Sequence, residues 1–299
     1  MIKKLFALAV ITLSMALGHV YAQDLMDMLG DDKPKTEFAY ATFKTTRIVN
    51  GQSIENPANG VLLFMISHHF AALNSGAYNL FGLDGPAAIR LGLDYGVNDF
   101  LSVGIGRSSW EKTFDASFKA KILRQSSGEH NMPVSVSWYA SVVLRSQDWP
   151  APERKNYFSS RLAYTNQILI ARKFSNSLSL QLTPTFIHKN FVPTAVAQND
   201  IFAVGIGGRY KLTQRLSLNA EYFYLLPGNT ADNYENSFSI GIDIETGGHV
   251  FQLHFTNSQP MFDRAFITET TGKWTNGDIF FGFNISRVFT IKKPKGFKS

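Results

Sequence analysis

A period of two constrains this chain more than any other feature. Between Ala87 and Leu123, apolar residues recur at every second position in three short runs. The runs are Ile89, Leu91, Leu93 and Tyr95; Leu101, Val103 and Ile105; and Phe114, Ala116, Phe118, Ala120 and Ile122. Polar residues and glycines fill the alternate positions. Such alternation specifies extended strands with one apolar and one polar face. It returns downstream, most regularly where Phe238, Ile240, Ile242 and Ile244 alternate with Ser239, Gly241, Asp243 and Glu245. From Gly60 to Phe289 the chain reads as twelve strands, the first ending at Ser67, the sixth spanning Phe158 to Lys173 and the last beginning at Asp278. The apolar faces meet either a protein core or lipid.

The first residues bear on the compartment. Lys3 and Lys4 precede an apolar stretch from Leu5 to Leu17, and Val20-Tyr21-Ala22 supplies the small residues of a cleavage site. About 13 apolar residues are too few to span a bilayer, which needs about 20, so residues 1–22 are expected to be a signal peptide. Cysteine is absent, which excludes disulfides, thiolate metal sites, a cysteine nucleophile and a lipid-modified N-terminal cysteine. The formal charge is +6, but Lys3, Lys4 and the four lysines at 292, 293, 295 and 298 account for it. A basic tail at residues 291–299 is not a basic binding face, and nucleic acid is set aside as a partner. The aromatic content is high, with 25 Phe and 11 Tyr. An exported, aromatic-rich, strand-forming chain is a β-sandwich or an outer-membrane barrel.

The connections favour the barrel. Val97-Asn98-Asp99, Ser175-Asn176-Ser177, Thr213-Gln214-Arg215 and Thr246-Gly247-Gly248 are short, and Arg124 to Pro133 falls in the same phase. The intervening connections are mostly long: Ser67 to Pro86, Gln147 to Tyr157, Lys189 to Asp200, Pro227 to Asn236 and Asn257 to Gly277. Short periplasmic turns alternating with long extracellular loops are the pattern of an up-and-down transmembrane barrel. An even strand count then puts both termini in the periplasm. Runs of about 9 to 12 residues fit tilted strands crossing hydrocarbon. Aromatics near run ends, Trp110 among them, are expected in two interfacial belts. The fold class is therefore all-β, an up-and-down antiparallel transmembrane β-barrel of about twelve strands, at residues 59–290. Residues 23–58 are expected to form a short periplasmic arm or plug. Within it Asn50-Gly51 is a two-residue turn signal between Thr45–Val49 and Gln52–Ile54.

If the apolar parity faces lipid, the other parity lines the lumen. It carries Arg90, Asp94, Asp115, Lys119, Lys121, Arg145, Arg161, Arg209, Lys211, Glu221, Asp243 and Glu245. Mixed charges in a modest barrel pair and fill it, or they line a pore selecting small solutes. His68 and His69, read as part of the first long loop, are candidate metal or haem ligands, although neighbours on extended backbone point to opposite faces. His254, Ser286 and His188 stand in no nucleophile–base motif, so the reading is non-enzymatic, and no cofactor is expected.

The run Leu80-Phe-Gly-Leu-Asp-Gly-Pro-Ala-Ala-Ile-Arg-Leu-Gly-Leu-Asp-Tyr-Gly-Val-Asn-Asp, with Gly104-Ile-Gly-Arg-Ser-Ser, Lys112-Thr-Phe-Asp and Leu123-Arg-Gln, resembles uncharacterised outer-membrane β-barrels of the Bacteroidota, a domain of unknown function. The resemblance covers about Thr42 to the last strand. It implies an outer-membrane location and brings no activity or site residues. The functional expectation is a monomeric channel or uptake barrel for small solutes in contact with outer-membrane lipid. A closed structural barrel that binds an envelope partner is the alternative, and an outer-membrane enzyme is a third class.

Overall fold

The computed structural model describes residues 35–149, 152–153, 155–192, 194–195, 197–228 and 234–292. The expected signal peptide, the start of the arm and the tail from residue 293 onward lie outside the described residues.

Twelve strands form a closed barrel. They are β1 (Val61–Ala72), β2 (Ala88–Gly96), β3 (Leu101–Ser108), β4 (Thr113–Leu123), β5 (Ser135–Arg145), β6 (Leu162–Lys173), β7 (Leu178–Lys189), β8 (Asp200–Lys211), β9 (Leu216–Leu225), β10 (Ser237–Thr246), β11 (His249–Thr256) and β12 (Phe280–Thr290). Each strand pairs antiparallel with its neighbours in sequence, and β12 closes on β1 from Phe280↔Ala72 to Thr290↔Val61. Closure leaves no unpaired edge, as a strand-built membrane span requires. No helix among the described residues is long and apolar enough to cross a membrane.

The alternation resolves as read. On β2 Ile89, Leu91 and Leu93 are exposed while Ala88, Arg90 and Gly92 are buried. On β8 Phe202 and Ile206 are exposed while Ala203 and Arg209 are buried. The polar parity is the inside of the barrel, and the apolar parity is the face turned to lipid.

Most of the short turns share one device. In three of them a side-chain oxygen accepts from the backbone N–H groups two and three residues on. Asn98 Oδ1 caps Phe100 and Leu101, Ser175 Oγ caps Ser177 and Leu178, and Thr213 Oγ1 caps Arg215 and Leu216. Asx- and ST-turns of this kind satisfy backbone donors that the ladder leaves free.

Four sequence expectations change. First, β1 does not end at Ser67 but runs to Ala72, so His68 and His69 lie on a strand and not in a loop. The pairing to β12 extends it, with His68 stacked on Phe283 at a centroid distance of 5.1 Å. Second, the sixth strand starts at Leu162, because a 3₁₀ turn occupies Phe158–Arg161. Third, the connection from Asn257 to Gly277 is not a simple external loop. It carries a helix, α1 (Asp263–Thr268), on which Ala265, Phe266 and Ile267 are fully buried. Fourth, Trp110 leaves the interfacial belt and packs against Val143, Phe262 and Ala265. The apolar residues of the long connection need cover, and the inward faces of Val143, Ile187, Ala203 and Phe223 provide it. Burying a side chain of phenylalanine size contributes about 1.5–3 kcal/mol, and Phe262, Phe266 and Ile267 each gain it inside.

Candidate functional site: the occupied lumen

The segment preceding β1 enters the barrel. Thr46 and Ser53 join through Ser53 N–H donating to Thr46 O at 2.9 Å, Arg47 bridges Gln52, and Ile48 N–H donates to Gly51 O at 2.8 Å. The hairpin therefore turns over Val49–Asn50, one residue earlier than the Asn50-Gly51 signal predicts. The wall supplies the reason. Glu221 on β9 takes the N–H groups of Val49 (3.1 Å), Asn50 (2.7 Å) and Gly51 (3.0 Å), so a carboxylate satisfies the donors at the tip. A side chain at Gly51 would start 2.9 Å from the Phe223 ring and 3.0 Å from Glu221 Oε2. Glycine serves there for close approach and not for a left-handed backbone. Gly207 likewise leaves room for Ile48, whose Cδ1 would lie 2.4 Å from any Cβ.

Wall side chains also read the hairpin's carbonyls. Lys119 Nζ donates to Ser53 O (2.8 Å), Glu55 O (3.0 Å) and Thr46 O (3.2 Å). Gln181 donates to Gln52 O at 2.7 Å, Gln252 to Ile48 O at 2.7 Å and Asn284 to Val49 O at 3.1 Å. Arg209 Nη1 donates to Ala41 O at 2.9 Å. Apolar contact includes a small cluster in which Phe43, Ile48 and Ile54 meet Tyr139, Leu169 and Ala171. The insert is held mainly by side-chain-to-backbone hydrogen bonds on a polar wall. Parts of that wall, such as Ser137 Oγ, Thr165 Oγ1 and Ser217 Oγ, are buried with no hydrogen-bond partner among the described residues.

The remaining candidate residues fall into place around it. Arg90 pairs with Asp115 through Nε–Oδ1 at 2.9 Å and Nη2–Oδ2 at 2.6 Å, both side chains buried. Asp94 accepts from Thr46 Oγ1 at 2.8 Å. Asp243 accepts from Gln252 at 2.6 Å, and Glu245 pairs with Lys44 of the arm. Lys121 lines a small cavity of about 90 Å³ with Thr42, Ile54 and Glu55 at one mouth. Arg145 belongs to the opposite mouth. It lies 3.5 Å from Glu111, in a network where Arg264 of α1 meets Glu111 and Glu269, and Lys189 on β7 meets Glu269 at 2.8 Å. Burial pushes the Glu269 carboxyl up, but Arg264 and Lys189 outweigh it and hold the group below the ordinary carboxylate range. Asp263 of the same helix accepts from Tyr139 Oη at 2.9 Å.

The two histidines separate. His68 faces outward against Phe283, while His69 is buried inside, 2.8 Å from His254 Nε2. His69 Nδ1 lies 2.9 Å from the Gln259 carbonyl, which makes Nδ1 the donor and leaves Nε2 to accept from His254. Among the described residues no cluster of three His, Asp or Glu side chains is placed to hold a metal. Ser286 Oγ lies 3.4 Å from Val250 O, and His188 pairs with Asp200 at 2.6 Å. Sequence reasoning missed the His69–His254 pair and the α1 insertion. For the latter a signal existed, since Phe262, Ala265 and Phe266 share one face of a helix inside a connection expected to be external.

A closed meander, apolar outside and polar inside, with its N-terminal hairpin docked within, defines a membrane-spanning β-barrel with an occupied lumen. The chain belongs to the family described as Membrane bound beta barrel domain (DUF5777), whose model matches residues 43–289 and so takes in the hairpin. No curated protein matches it in sequence. Among solved structures it is similar to the NanC porin, at 7% identity over 76% of this chain and 98% of that one with a TM-score of 0.47. It is also similar to the KdgM porin, at 11% identity over 76% and 99% with a TM-score of 0.47. The COG4313 outer membrane channel from Pseudomonas putida F1 gives 13% identity over 79% and 97%, also with a TM-score of 0.47. Likeness at this level carries no functional argument.

Proposed function

We propose that this protein is an outer-membrane conduit for small polar solutes, closed at rest by its own N-terminal hairpin. The observation that carries the reading is how the lumen is filled. The wall is polar, and it holds the hairpin mainly through side-chain donors and the carboxylates of Glu221 and Asp94, an interface that water or solute can replace bond for bond. Both termini on the periplasmic side, an exported chain, and a Bacteroidota outer membrane extend this reading from the loop asymmetry, the first 22 residues and the Leu80–Asp99 resemblance.

The filling by two inserts favours a second reading, a closed barrel whose loops or periplasmic turns contact an envelope protein. Solute flux separates the two. Gly51→Leu drives a side chain against Phe223 and Glu221 and so displaces the hairpin while every wall residue stays in place. In proteoliposomes, wild type is expected to admit small solutes slowly and Gly51→Leu quickly. Equal exclusion by both, with folding verified by heat-modifiable gel mobility, would favour the closed barrel.

A further inference from the structure

We infer that the lumen holds a binding site for short zwitterionic peptides, with the hairpin as its built-in occupant. The inference rests on the conduit reading and names the solute class. Its basis is the pair Glu221 and Lys119. Glu221 is buried on β9 and receives three backbone N–H groups of the hairpin. Lys119 is buried on β4 and gives its ammonium to three carbonyls. Neither belongs to an ion pair within 4.0 Å among the described residues, whereas other inward charges do, among them Arg90–Asp115, Lys44–Glu245 and Lys189–Glu269. Asp94 lies in the same pocket as Lys119, but it bonds Thr46 Oγ1.

Two buried charges of opposite sign are thus satisfied only by peptide backbone. Once the hairpin withdraws, each needs a counter-charge or a full set of hydrogen bonds. An α-ammonium carries three N–H donors, matching the three that Glu221 receives from the chain. A terminal carboxylate replaces the carbonyls at Lys119. Between these anchors Gln181, which donates to Gln52 O at 2.7 Å, serves an intermediate carbonyl. The hairpin also sets the length. The residues bonded to Glu221 and Lys119 include Gly51 and Ser53, so N–H to carbonyl spans three residues, or about 10 Å of extended chain. That span is a tripeptide with free ends. A neutral sugar donates and accepts hydrogen bonds but leaves both charges without a partner.

Calorimetry on full-length, detergent-folded protein tests this directly and independently of conduction. The background is Gly51→Leu, or Asn50→Asp, which sets a second carboxylate beside Glu221, if the first does not fold. Trialanine with free ends is expected to bind this background. N-acetyl-trialanine amide should bind at least about tenfold more weakly, because charge-assisted bonds are lost at both ends. Maltotriose should give no heat. Wild type should bind trialanine more weakly than the background, since its hairpin holds the site. Adding Glu221→Gln should remove the preference for a free amino end, and Lys119→Met the preference for a free carboxylate. Equal binding of free and capped peptide, or a preference that survives Glu221→Gln, would overturn the inference. Loss of solute flux with peptide binding intact would instead refute the conduit and leave the site standing.

Discussion

Replacing Glu221 by Gln should loosen the hairpin without touching the barrel's ladders. In the structure the carboxylate accepts from Val49, Asn50 and Gly51 at 3.1, 2.7 and 3.0 Å. A glutamine keeps one acceptor oxygen and turns an NH₂ toward the same donors. Hydrogen bonds to a charged group contribute about 1.5–3 kcal/mol each, and one of the three is kept in weaker form. Because the freed hairpin can find water in the lumen, the net change in docking is about 2–4 kcal/mol. That corresponds to a rise of roughly 30- to 1000-fold in the undocked population. The chain has no cysteine, so Val49→Cys provides a single thiol at a site that is 1% exposed. Its maleimide labelling rate should rise by that factor when Glu221→Gln is added. A change below about twofold, in protein with native heat-modifiable mobility, would refute the claim that Glu221 holds the hairpin.

Other consequences are equally direct. Leu91→Arg, on the outward face of β2, should destabilise the barrel in vesicles by about 2–4 kcal/mol at mid-depth, read from its denaturant midpoint; wild-type stability would mean the faces are inverted. Asp115→Asn leaves the buried Arg90 guanidinium unpaired and should cost about 3–5 kcal/mol in the same titration. Glu269 is held below its ordinary value of 4.5 by Arg264 and Lys189. Its folded pKa lies below the unfolded one, so its contribution is complete above the unfolded value and is lost as pH falls through the folded one. Proteolysis of the α1 connection should therefore increase in acid below about pH 4.5, and Glu269→Gln should flatten that dependence.

Strands were legible in the sequence because lipid and lumen impose a strict alternation, and β10 and β11 begin where that alternation begins. Legibility fails where the cause is tertiary. At the start of β1 the run Leu62-Leu63-Phe64-Met65 is apolar on both faces, since Leu63 and Met65 are buried inward, so the pattern loses its period. The end of β1 was lost because His68 and His69 read as polar, yet one stacks on Phe283 and the other meets His254. The helix at 263–268 is signalled only by Phe262, Ala265 and Phe266 on one face, too short a pattern to tell a buried insert from an external loop. The hairpin's turn was signalled, but its register depends on Glu221, about 170 residues away in sequence. The candidate charges share the polar parity by spacing alone. Which of them pair with each other and which bind backbone follows only from the insert between them.

Single-channel recording in planar bilayers tests the central claim most directly. Wild type is predicted to be closed with rare, brief openings, and Gly51→Leu to give sustained current steps with unchanged barrel stability. Folded Gly51→Leu barrels that pass no current would contradict it.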